Sequence, residues 1–172
     1  IETVAPMVCR GVLLDIPAVL AVDCLAPDHG ISAQELEAAC RHHGIEVGAG
    51  DAVLVRTGWA GRHYADPEAY SGHLTGTPGP DLSAARWLAD KGIRVTGSDT
   101  VTYERLQAPP RSAELPVHVC LLVEHGIHII EVMDLEELAH EEVREFVFVA
   151  APLKIVGGTG SPLRPLALVA TP

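Results

Sequence analysis

Apolar positions fall into two periods that alternate along the chain. Short runs, nearly all apolar, read as buried strands: Gly11–Ile16 (GVLLDI), Ala52–Thr57 (AVLVRT), Ile93–Thr96, Glu145–Ala151 and Pro165–Ala170. Runs of this kind belong to strands covered on both faces. Between them lie helical stretches with start and stop signals. Ser32-Ala-Gln-Glu35 is a capping box opening a helix that Gly44 ends, with Leu36, Ala39 and Cys40 inward. Asp81 or Ser83 caps a helix through Lys91 that Gly92 closes, and Asp134-Leu-Glu-Glu137 reads as a second capping box for a helix to about Glu142. Strands and helices in alternation predict an α/β layered domain with a mixed sheet.

Residues 114–131 form the densest unit. Pro116 suits a first helical turn and Gly126 the position past a helix end, so a helix is expected over 116–125. Ile127, Ile129 and Ile130 then read as a short strand ending at Glu131. The helix rises roughly 14 Å and the strand returns about 16 Å antiparallel to it. His118 and Glu131 are thereby brought to the same height. Imidazole and carboxylate together suit zinc or manganese. Spacing alone favours a plainer reading, a partly buried histidine capping its helix beside a solvated glutamate. His125 is explained by the helix dipole, and His128 by the strand face opposite Glu131.

Residues 60–80, rich in glycine and proline and carrying His63, Tyr64, Tyr70 and His73, read as a long surface excursion. His73 either reaches a substrate or is simply exposed. Trp59 follows a strand end, where it walls a pocket or fills the core. Asp99, in Gly97-Ser-Asp-Thr100, reads as a turn former. Gly157-Gly-Thr-Gly160 lacks a following lysine and helix, which favours a structural turn over a phosphate loop.

Composition narrows the functions open to the chain. A length of 172 residues suits one domain, and no apolar run approaches the ~20 residues of a membrane span. Net charge is −11, which argues against nucleic acid or an anionic membrane surface and leaves a small-molecule substrate. Cys9, Cys24, Cys40 and Cys120 show no paired spacing, so reduced thiols and a cytoplasmic location are expected. The chain opens Ile1-Glu2-Thr3-Val4 without Met, as a fragment would.

Four blocks in order, Asp51-Ala-Val-Leu-Val-Arg-Thr-Gly-Trp59, Gly97-Ser-Asp-Thr100, Pro116-Val-His118 with His125-Gly-Ile127 and Glu131, and Gly157-Gly-Thr-Gly-Ser-Pro162 with Arg164-Pro165, resemble the cyclase family of metal-dependent hydrolases, which includes kynurenine formamidase and isatin hydrolase. The resemblance implies a swivelling β/β/α fold, a homo-oligomer, and hydrolysis of an amide, cyclic amide or lactone by metal-activated water. It raises His118 and Glu131 to metal ligands or acid/base partners; Trp59, from its strand-end position, and His73, from its loop, are the candidate substrate contacts. The family's H-x-G-T-H-x-D-x-P-x-H motif, which supplies its main ligands, is not in this sequence; His73-Leu-Thr-Gly-Thr77 only echoes it. The expectation is therefore a single cyclase-like domain over 1–172, matching the C-terminal two thirds of the family. The primary ligands for the divalent metal, zinc or manganese, are then absent from the chain as given, either lost or upstream of Ile1.

Overall fold

The computed structural model describes residues 1–110 and 114–170. Among the described residues eight strands and seven α-helices follow one another: β1 (Met7–Asp15), α1 (Ile16–Leu20), β2 (Gly30–Ile31), α2 (Ala33–His43), β3 (Ala52–Arg56), α3 (Trp59–His63), α4 (Pro67–Ser71), β4 (Gly79–Pro80), α5 (Leu82–Asp90), β5 (Val95–Ser98), α6 (Pro116–His118), β6 (His128–Ile130), α7 (Glu136–His140), β7 (Glu145–Ala150) and β8 (Leu166–Leu168). Six strands form a mixed sheet ordered β6-β5-β3-β1-β7-β8, and β2 and β4 make a small parallel pair. The strands β1, β3, β5 and β6 are parallel, while β7 runs antiparallel between β1 and β8. The α/β class and the mixed sheet are as the sequence pattern predicts.

Alternation along the central strands divides the core in two. Val12 and Leu14 of β1 and Val53 and Val55 of β3 pack under α2, α5 and the helix beginning at Pro116. Leu13 and Leu54 point the other way, to Met133, Phe146 and Phe148. Burial of both faces explains why these strands read as unbroken apolar runs. On β7 the pattern is alternating, with Phe146 and Phe148 buried and Glu145 and Val147 exposed. Gly11 lies opposite Phe146 in this pairing. A Cβ there would collide with the Phe146 ring.

Several boundaries differ from expectation for identifiable reasons. The capping box at Ser32 and Glu35 is formed in both directions, and Gly44 closes α2 at φ +68°. The second expected box is not formed: Asp134 accepts from the Glu136 amide at 3.1 Å and α7 begins one residue late, with Leu135 at its N-cap. Glu136, at the start of α7, is engaged by Arg56 at 2.7 Å. Residues 60–80 lie largely at the surface, as expected over 61–68 and 73–75, but they are folded into short helices and end in a buried stretch rather than forming an open loop. Asp66 caps α4 with Pro67 at its first position, and Tyr70 and residues 76–80 are buried. Gly79 allows close passage there, since a Cβ would strike the Tyr103 carbonyl. The 157–160 segment is a turn with Gly157 at φ +73°, as expected. Cys9, Cys24, Cys40 and Cys120 are all free thiols.

Candidate active site

The expected helix over 116–125 is present in two parts. Pro116–His118 is one α turn, and Val119–Glu124 continues it as a π-helix. No side chain within this segment caps it. The cap arrives from Glu104, whose carboxylate accepts from the backbone N–H of Val117 at 3.4 Å and of His118 at 3.0 Å. The same carboxylate lies 2.6 Å from Nδ1 of His118. Glu104 is only 3% exposed, so these contacts are made away from water.

On its other side His118 meets Glu131. Nε2 is 3.5 Å from Oε1 of Glu131, the convergence predicted from helix rise and strand length. Hydrogen bonding to Glu104, then to Glu131, outweighs desolvation and raises the imidazole from 6.5 to about 9. In the metal-free chain at neutral pH the ring is thus an imidazolium between two carboxylates.

Both carboxylates stand next to strained backbone. Tyr103, before Glu104, has φ +53°, and Val132, after Glu131, has φ +59°. Left-handed conformations cost about 1–3 kcal/mol in such residues and persist where the surroundings enforce them. Here the Tyr103 hydroxyl is 2.8 Å from the Thr96 hydroxyl in the core, and Val132 donates to the Thr100 carbonyl at 2.9 Å. The strained links aim Glu104 and Glu131 at one imidazole from opposite sides. The site lies at the carboxyl ends of parallel strands, where α/β sheets place their ligands. A groove of about 1340 Å³ opens beside it, lined among others by His118, Glu131, Met133, Leu163 and Arg164.

Trp59 does not wall this groove. It is 2% exposed, packs with Ala60 and Tyr70, and donates Nε1–H to the Tyr70 carbonyl at 2.9 Å, so the core alternative describes it. His73 is exposed, follows α4, and is not among the groove-lining residues. Two residues escaped the sequence pattern. Glu104 sits in an irregular segment with no periodicity to mark it. Asp99 is no exposed turn former: it is fully buried, with Oδ1 accepting from the Thr57 amide at 2.9 Å and hydroxyl at 2.8 Å. Burial pushes its carboxyl up. Asp99 holds the chain where Gly58, at φ +77°, turns out of β3.

A histidine fixed at Nδ1 by a buried carboxylate, with Nε2 turned toward a second, is the outer-shell arrangement typical of metal-ligand histidines. Fold and site together define an α/β protein with a histidine held between two carboxylates at its strand ends. The chain belongs to the cyclase family, whose model ("Putative cyclase") matches residues 1–105. It is 34% identical over 145 residues to isatin hydrolase of Roseibium aggregatum, covering 83% of this chain and 54% of that protein. Kynurenine formamidase of Bacillus cereus is 32% identical over 114 residues, covering 65% of this chain and 46% of that protein. A crystal structure of a novel cyclase superposes with a TM-score of 0.84 at 31% identity, covering 94% of this chain and 54% of that one. The chain spans about half the length of the curated relatives it matches.

Proposed function

We propose that this protein is a metal-dependent hydrolase of a small amide, cyclic amide or lactone. The carrying observation is His118, clamped by Glu104 at Nδ1 and open to Glu131 at Nε2. Isatin hydrolase and kynurenine formamidase among the relatives support the substrate class. The residues present fit one side of a cation site: Nε2 of His118 and the Glu131 carboxylate would hold it, with Glu104 orienting the ring. Zinc or manganese there would supply an acidified water and a polarised carbonyl. Within this chain, Glu104 keeps a proton at Nδ1, so that loss of the Nε2 proton, as binding a cation there would require, presents the Nε2 lone pair to the groove. The partly exposed Glu131 carboxylate takes up and returns protons at the groove wall. Met133 and Leu163 supply apolar surface for the body of the substrate.

The test is turnover of isatin, N-formylkynurenine and simple lactones by the purified protein with added manganese or zinc. Hydrolysis of one of these, lost in His118→Ala, is expected. No turnover with either metal, together with unchanged metal binding by His118→Ala, overturns the proposal.

One observation favours a second reading, a non-catalytic ligand- or partner-binding module. Among the described residues no third histidine, cysteine or carboxylate joins His118 and Glu131 in a three-donor group. A small molecule or partner bound by the folded protein, with no turnover under either metal, would select this reading. We assign the protein a small-molecule partner, a homo-oligomeric state and a cytoplasmic location, the last two to be checked by light scattering and by fractionation. Among the described residues no helix is long and apolar enough to cross a membrane.

A further inference from the structure

Among the described residues, one group of three metal-capable side chains has its donor atoms within 4.8 Å of one another, and it does not include His118. The group is Cys120, Glu124 and His125, on the π-helix and its C-terminal cap. The backbone explains how they meet. In an α-helix residues five apart project about 140° from each other. Here the His125 N–H reaches back to the Cys120 carbonyl at 3.2 Å, an i→i+5 bond. This wider turn brings residue 125 over residue 120 and leaves residue 124 beside it. π turns are rare and recur at functional positions.

The chemistry of the trio is specific. Cys120 is 2% exposed, while Glu124 and His125 are exposed, so a cation seated among them would touch a buried sulfur and two groups reached from water. The Glu124 carboxylate lies close enough to hydrogen-bond the Cys120 thiol, and Arg86 and Asp90 of α5 face the same sulfur with opposite charges. One thiolate and one carboxylate neutralise a divalent charge, with the imidazole as third donor. Sulfur and imidazole select zinc or cobalt over magnesium, calcium or manganese. The helix also ends here, where its dipole favours a cation.

We propose that Cys120, Glu124 and His125 form a second, thiolate-containing site for a zinc-class cation, separate from the His118 half-site and serving to hold the π turn closed. Binding releases the thiol proton to solvent and leaves the fourth position to water.

Cobalt titration of the reduced wild-type chain tests this, because the His118 half-site contains no sulfur and cannot give a sulfur-to-cobalt charge-transfer band. One equivalent of cobalt should develop that band, and zinc should abolish it by competition. Glu124→Gln and His125→Ala, both at exposed positions that folding tolerates, should each weaken binding about tenfold or more. Cys120→Ser should remove the band. Absence of the band in wild type at excess cobalt overturns the proposal, and so does a band of unchanged midpoint in both exposed-site variants. Neither result bears on hydrolysis at His118.

Discussion

Oε2 of Glu104 lies 2.6 Å from Nδ1 of His118 and 3.0 Å from the backbone nitrogen of the same residue. A single buried carboxylate thus caps the helix and sets the orientation of the ring that the helix carries.

Glu104→Gln keeps the shape and removes the charge. It should lower unfolding stability by on the order of 2–3 kcal/mol, since charge-assisted bonds are lost inside the protein. Metal affinity at His118 should fall about tenfold or more. Urea denaturation and a metal titration check the two effects, and unchanged values in both would show that the contact carries neither function.

The clamp also predicts a pH dependence for the metal-free chain. His118 is raised from 6.5 to about 9 on folding, first by Glu104 and then by Glu131. A raised group stabilises fully below its unfolded value and loses that contribution as pH climbs through its folded value. Stability of wild type should therefore fall between pH 6.5 and 9 relative to His118→Asn, by about 3 kcal/mol at most. Parallel denaturation series across this window measure the difference, and coincident curves would contradict it.

Gly11 and Phe146 make a third pair. Gly11→Ala places a methyl group where the Phe146 ring lies, and should cost roughly 1–3 kcal/mol. Phe146→Leu removes the obstructing ring, so the double variant should be more stable than the sum of the single losses predicts. Additive losses in a double-mutant cycle would mean that the ring is not the obstacle.

What the sequence made legible was local. Ser32, Glu35 and Gly44 announce α2 because capping depends on neighbours within one turn. His118 and Glu131 could be brought together because a helix and strand of known rise join them without an intervening loop. Glu104 was not legible: its role depends on a strained link at Tyr103 and on packing against Thr96, neither of which has a sequence period. Asp99 was misread for a related reason. Aspartate in a Gly-Ser-Asp-Thr stretch usually makes an exposed turn, but the Thr57 amide and hydroxyl buried beside it supply partners from 42 residues away. The π turn was invisible as well, since Pro116 and Gly126 mark the ends of a helix and say nothing of its pitch. Trp59 sits where strand-end residues often serve a site, and only the Tyr70 carbonyl against its indole reveals a core role.

The three residues of the half-site, Glu104, His118 and Glu131, come from one stretch, with separations of 14 residues and then 13. By contrast, the pairing of Met7 with Ala150 that closes the sheet joins opposite ends of the chain. Short loops cost less entropy to close than long ones. Loop closure therefore costs less for the charged cluster, drawn from one run of strand, helix and strand, than for the pairing of β1 with β7, so the site draws its contacts from close in sequence while the sheet draws its own from far apart.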